Sequence, residues 1–283
     1  KQLKANHGLD IYLKTGTPIH PMSPLVKLIW MNETSYEPYH QADKFISIKE
    51  YLIKKWFNQY VVDYSIASAT GMFNIHTYEW EQMALDEAGI SKEQLSSPVP
   101  PEYICEGLAE YVLEQTGLPK DIRFVMGASD GPLANLGNGA ILPGDVAVTI
   151  GTSGAIRQMA PAPQTDEKQE IFCYGVTKDL WIMGGPTNNG GIVLQWAKDL
   201  IGEHESPMET ILTGAEKVSP GANGLLFLPY LNGERAPYWD ANARGTMLGL
   251  TLSHKREHIV RATLEGVIFS LLTVNEALER LAG

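Results

Sequence analysis

Apolar positions recur at helical spacing in the first part of the chain and again at its end, with short apolar runs bounded by glycine in between. Leu25, Leu28, Ile29 and Trp30 follow that spacing, and Ser23 before Pro24 supplies a cap and a first helical residue. A helix is therefore predicted from residue 24. The spacing predicts further helices over residues 48–57, 78–88 and 106–116, the last two stopped by Gly89 and Gly117. Pro98, Pro100 and Pro101 mark a loop between them. At the far end Val260, Leu264, Val267, Leu271, Val274, Leu278 and Leu281 step by four and three, one apolar stripe on a long helix.

The middle has a different texture. Residues 123–126, ended by Gly127, read as a buried strand. Residues 145–150 and 155–159 flank Gly151, Thr152, Ser153 and Gly154 and predict a hairpin. Residues 172–176 and 181–183, parted by Thr177, Lys178 and Asp179, predict a second one. A helix over 191–201 follows, then a capping box at Ser206, Pro207, Met208 and Glu209, and a buried strand over 225–228. The mixture predicts an α/β protein. Composition shifts near Pro143 and Gly144, which places a boundary between residues 1–143 and 144–283.

An apolar share of 44% and a charged share of 19% exclude a disordered chain. Lys and Arg number 22 against 33 Asp and Glu, a net charge of −11. That sign argues against nucleic acid or an anionic membrane as partner. An anionic ligand would have to be held by local backbone dipoles or single cations. Cys105 and Cys173 lie far apart with no metal-ligand spacing, which fits a reducing, cytoplasmic setting. No His pair carries the spacing of a metal site, so none is predicted. The longest greasy run, 266–274, is well short of the ~20 residues that span a bilayer. The chain opens on Lys1 without Met, as a piece lacking its own start would.

Four segments could carry chemistry. The Gly151–Gly154 turn lets a ligand approach its backbone closely and offers amides and two hydroxyls to an anion; a plain hairpin turn has the same composition. Asp130, after the run 123–126, suits a proton acceptor, and on spacing alone it suits the cap of the following helix better. Residues 184–191 are a glycine-rich helix entry without the pattern of a Walker loop. Within 229–240, Arg235 could clamp an anion, although an ion pair to Glu234 or Asp240 is its usual fate. Lys27 reads as a solvated or structural lysine.

Together these segments resemble the FGGY family of carbohydrate kinases. One family signature is matched by residues 22–31 with Lys27 and Trp30 at its core, and departs at Thr34. The other runs from Gly245 to Leu250, through seven variable residues, to His258–Glu265, and is complete. Gly151–Gly154 resembles the family's second phosphate loop. Residues 63–70, 152–157, 171–174, 184–192 and 233–237 are most similar to gluconate-phosphorylating members, with xylulose kinases sharing much of the pattern.

The resemblance implies two ribonuclease-H-like (actin-like ATPase) domains around a cleft, sugar-binding over 1–143 and nucleotide-binding over 144–283. It implies ATP with Mg²⁺ as cofactors and a sugar or sugar acid as substrate. Asp130 would be the general base, and also touch the substrate, with His20 as a second contact. Gly151, Thr152 and Ser153 would meet phosphates, and Gly191 and Gln195 line the nucleotide site. Mg²⁺ would arrive with ATP, ligated by phosphates and water. The family's opening Asp-x-Gly-Thr loop and closing glycine-rich adenosine loop are not in this sequence, so the chain reads as the middle of a longer kinase. A non-catalytic sugar-binding segment and a pentulose kinase are the alternatives. The last helix's stripe serves a core or a partner chain alike, which leaves a homodimer open.

Overall fold

Helix α1 (Gly8–Thr15) ends at Gly16, whose φ of 65° returns its amide to the Tyr12 carbonyl at 2.7 Å. A Cβ on Gly16 would lie 2.0 Å from the Cys173 carbonyl oxygen, so only glycine admits this approach. The computed structural model describes residue 3 and residues 6–282. Helix α2 (Pro24–Glu33) starts as predicted, with the Ser23 hydroxyl accepting the Val26 amide at 3.5 Å. After α3 (Glu37–His40), a full capping box of Ser47 and Glu50 opens α4 (Ile48–Phe57), the range expected. Strand β1 (Val61–Asp63) runs directly into α5 (Tyr64–Ala69), capped by the Asp63 carboxylate.

The helix expected over 78–88 is corrected. Tyr78 has φ 59°, and β2 (Phe73–Asn74) pairs with β3 (Glu79–Trp80), Phe73 opposite Trp80. The Trp80 indole N–H donates to the Ser96 carbonyl at 3.0 Å, and helix α6 (Gln82–Ala88) begins only after Glu81 caps it. Pro98 lies in a strand rather than a loop: β4 (Ser97–Val99) pairs in parallel with β1. A two-stranded sheet tolerates proline because one side of each strand needs no partner. The run 123–126 gives only a short pair, β5 (Ile104–Cys105) with β6 (Phe124–Val125), and Val125 is exposed. Helix α7 (Glu110–Thr116) starts later than expected, after Gly107 turns the chain at φ 80°. Helix α8 (Asp130–Gly137) follows.

Strands β7 (Val146–Ile150), β8 (Gly154–Ala160), β9 (Phe172–Thr177) and β10 (Leu180–Thr187) form one sheet in the order β7-β8-β10-β9. Both predicted hairpins are present. Helix α9 (Gly191–Leu200) leads to α10 (Met208–Glu216), which has no side-chain cap. The expected capping box fails because the Ser206 hydroxyl turns back to the Glu203 carboxylate. Strand β11 (Leu226–Leu228) pairs with β12 (Thr246–Leu248); Phe227 is buried and Leu226 exposed, so the run is one-sided. In α11 (Arg256–Ala282) Val260, Val267, Leu271, Val274 and Leu278 are buried, with Leu264 and Leu281 partly so.

The chain divides into two compact units, Lys1–Asp145 with Gln158–Met183, and Val146–Arg157 with Gly184–Gly283. Besides the passage near the expected 143/144 boundary, it changes unit within β8 and within β10. The first unit has a core around Ile11, Leu25, Leu28, Met72 and Leu85. Val193, Leu225, Phe227, Ala262 and Val267 form one in the second.

Candidate active site

In the first unit, the approach to Asp130 is pinned by backbone bonds. The Met126 amide donates to the Tyr103 carbonyl and the Gly127 amide to the Pro101 carbonyl, both at 2.8 Å. Gly127 then turns at φ 66° and α8 begins. Ser129 holds the cap position and Asp130 is the first helical residue, so the capping role that spacing favoured for Asp130 is corrected. Its Oδ1 accepts the adjacent Gly131 amide at 2.9 Å, and the side chain is exposed. An exposed carboxylate held by its neighbour's amide has an oxygen to offer a substrate proton.

His20 lies at the entry to α2. Its Nδ1 accepts the Met22 amide at 3.3 Å, and its carbonyl accepts the Ser23 amide at 3.0 Å and hydroxyl at 3.1 Å. The ring is thus built into the turn that starts the helix, on a different element from Asp130. Lys27 is exposed, at the edge of a cavity of about 560 Å³ that Lys44, Glu50, Thr70 and Ser129 also line. Most of that wall is apolar, from Leu28, Met31, Phe45, Val62 and Met72 among others.

The second unit holds the hairpin turn. Gly151, Thr152 and Ser153 are exposed, and the Gly151 amide closes the turn on the Ser153 carbonyl at 2.8 Å. Among the described residues the Thr152 and Ser153 hydroxyls have no hydrogen-bond partner. Carbonyls of the turn face α9 instead: Thr152 O accepts the amides of Gly190 and Ile192, each at 3.2 Å, and Gly151 O accepts that of Gly191 at 2.7 Å. The glycine-rich helix entry supports the turn from below. Gln195 is exposed one turn beyond Gly191 on α9, with Nε2 donating to Asp199 at 3.2 Å. The structure therefore brings Gly151, Thr152, Ser153, Gly191 and Gln195 together on one surface. Exposed hydroxyls on a glycine-flanked turn are donors of the kind a phosphate chain requires.

One role here escaped the sequence reading, which had named Glu234 only as an ion-pair partner for Arg235. Glu234 is fully buried, and its carboxylate accepts the Asn188 amide at 2.7 Å, the Arg235 amide at 2.8 Å and the Asn189 side-chain amide at 2.9 Å. Burial pushes its pKa up, and these donors with the Arg235 charge only partly offset that. Arg235 itself reaches the Thr187 carbonyl through Nη2 at 2.7 Å. Segments 184–191 and 229–240 had both stood out as glycine- and charge-bearing, but nothing in either said that they bind each other. The thiols are structural: both cysteines are buried, and burial pushes Cys173 up to about 12. Among the described residues no group of three or more His, Cys, Asp or Glu could hold a metal ion, and no helix is long and apolar enough to cross a membrane.

The family of this α/β fold, with its donor turn and exposed aspartate, is settled by comparison. Residues 1–137 match the N-terminal domain of the FGGY family of carbohydrate kinases, and 146–283 its C-terminal domain. The chain belongs to that family. Over 281 residues it is 50% identical to gluconokinase of Bacillus subtilis (strain 168), covering 96% of this chain and 55% of that protein. The crystal structure of gluconate kinase from Lactobacillus acidophilus superposes with a TM-score of 0.94 at 40% identity, covering 98% of this chain and 56% of that one. Ligand-bound xylulose kinase from Lactobacillus acidophilus gives 0.93 at 40% identity, covering 98% and 57%. The chain spans about half the length of the curated relatives it matches.

Proposed function

We propose that the complete protein phosphorylates D-gluconate on its 6-hydroxyl, yielding 6-phosphogluconate and ADP. The carrying observation is the 50% identity to a gluconokinase across nearly the whole chain. ATP, with Mg²⁺ bridging its phosphate oxygens, supplies the transferable phosphoryl group. Asp130 accepts the proton of the attacking hydroxyl, and His20 contacts the sugar acid. The Thr152 and Ser153 hydroxyls and turn amides donate to phosphate oxygens, with Gly151 allowing the close approach. Gly191 and Gln195 border the nucleotide. Residues 1–143 form the sugar side and 144–283 the nucleotide side. The enzyme works in the cytoplasm, where two buried free thiols persist.

Phosphoryl transfer asks a protein for positioning and charge neutralisation more than for covalent chemistry. A proton acceptor and an outward-facing donor turn meet that demand. A second reading, a xylulose kinase, is favoured by the equal 40% identity of the two Lactobacillus acidophilus structures. Initial rates of ADP release with gluconate, xylulose, ribulose and glycerol separate the two. Gluconate is expected to give the highest kcat/KM, and a higher value for xylulose would reverse the assignment. Binding of gluconate in calorimetry without any turnover would identify a non-catalytic sugar-binding protein.

A further inference from the structure

Asp63 ends β1 and is fully buried, with Lys49 Nζ on its Oδ2 at 2.6 Å. Its Oδ1 accepts the amides of Ser65 and Ile66, both at 3.1 Å, and the Ser65 hydroxyl. A hydroxyl has one proton and two lone pairs, so donating to Asp63 fixes where the lone pairs point. One of them accepts the Ser129 amide at 2.8 Å. Ser129 is the residue before Asp130, in extended backbone (φ −69°, ψ 164°), and its own side chain makes no capping bond. The corner that presents Asp130 is thus held by a hydroxyl 64 residues earlier in the chain.

We propose that Ser65, oriented by Asp63, is a positioning residue that aims the Asp130 carboxylate. The proposal rests on the reading of Asp130 as proton acceptor. A displacement of ~1 Å at such a group lowers turnover on the order of 10²-fold, whereas substrate affinity depends on other contacts. Asp63 is the poorer test residue, because its removal leaves the Lys49 ammonium without its buried partner.

The test is a double-mutant cycle in the complete protein with Ser65→Ala, Asp130→Asn and the pair. Ser65→Ala is expected to lower kcat about 10-fold with gluconate KM within about 2-fold, and to change kcat by less than about 2-fold once Asp130 is Asn. Ser65→Cys, which fills the same space with a poor acceptor, should reproduce the loss, and Ser65→Thr should restore activity. An equal kcat loss from Ser65→Ala in both backgrounds, or no loss from either Ser65→Ala or Ser65→Cys, would overturn the inference while leaving Asp130 as the base. Full turnover in Asp130→Asn alone would instead overturn the functional reading, and this inference with it.

Discussion

The Gly191 amide donates to the Gly151 carbonyl at 2.7 Å, which makes the first turn of α9 the floor of the hairpin turn. Gly190, beside it, lies so close that a Cβ would stand 2.5 Å from the Ser153 carbonyl carbon and 2.6 Å from its oxygen. Gly190→Ala must therefore lift the turn, a change on the scale of ~1–3 kcal/mol for overpacked sites. If the turn holds phosphates, the ATP KM rises about 10-fold or more while the gluconate KM stays near its original value. Initial-rate kinetics with each substrate varied will check this; an unaltered ATP KM would remove the turn from nucleotide binding.

Asp130→Asn keeps the shape of the side chain and its acceptor oxygen for the Gly131 amide, now at 2.9 Å, but removes the capacity to take a proton. A fall in kcat of ~10²-fold or more is expected, the range for a positioned general base. Gluconate affinity in calorimetry should change little. Near-normal turnover would exclude Asp130 from the chemistry.

Glu234 titrates in the opposite sense to most paired carboxylates. Burial raises its folded-state pKa above the ordinary value of 4.5, so the folded protein keeps the proton where the unfolded chain has released it. The stability it contributes is full below pH 4.5 and is lost as pH rises through the raised folded value. Glu234→Gln abolishes that titration. Relative to this variant, the wild type should lose stability as pH rises from 4.5, as read by denaturant melts at several pH values. A relative gain with rising pH would contradict the burial argument.

Glu81 goes the other way. Burial alone would raise its pKa, but hydrogen bonds from Lys14 at 2.9 Å and Asn74 at 2.7 Å, with the Lys14 charge, outweigh it and the net shift is downward. Its contribution is present above pH 4.5 and is lost as pH falls through the lowered folded value. Glu81→Gln should be less stable than wild type at neutral pH by about 1 kcal/mol, given the partly exposed Lys14 partner. The gap should narrow in melts below pH 4.5, and a constant gap would mean that the carboxylate charge is immaterial.

Where a signal is local, the chain's own residues told the structure in advance. Ser23 with Pro24 opens its helix as their identities require, because a cap satisfies amides within a few residues of itself. The Gly151–Ser153 turn and both hairpins followed from composition and spacing, and the two signature segments carried the family. Failures came where a distant partner overrode a local pattern. Trp80 left the helical register of 78–88 for a cross-strand place opposite Phe73 and a bond to Ser96. Ser206, by contrast, gave up its cap to a neighbour three residues back, Glu203, one local bond displacing another.

By itself, then, the order of residues determined the α/β character, the starts of α2, α4 and α9, and the hairpin turn. Folding alone decided that Glu234 would fasten Asn188 and Asn189, 46 and 45 residues earlier, and that Ser65 would hold the backbone before Asp130. Caps and turns are satisfied by neighbours along the chain, so they can be read from spacing. A buried carboxylate or hydroxyl takes its donors from whichever segment packing brings within 3 Å, and no spacing rule encodes that choice.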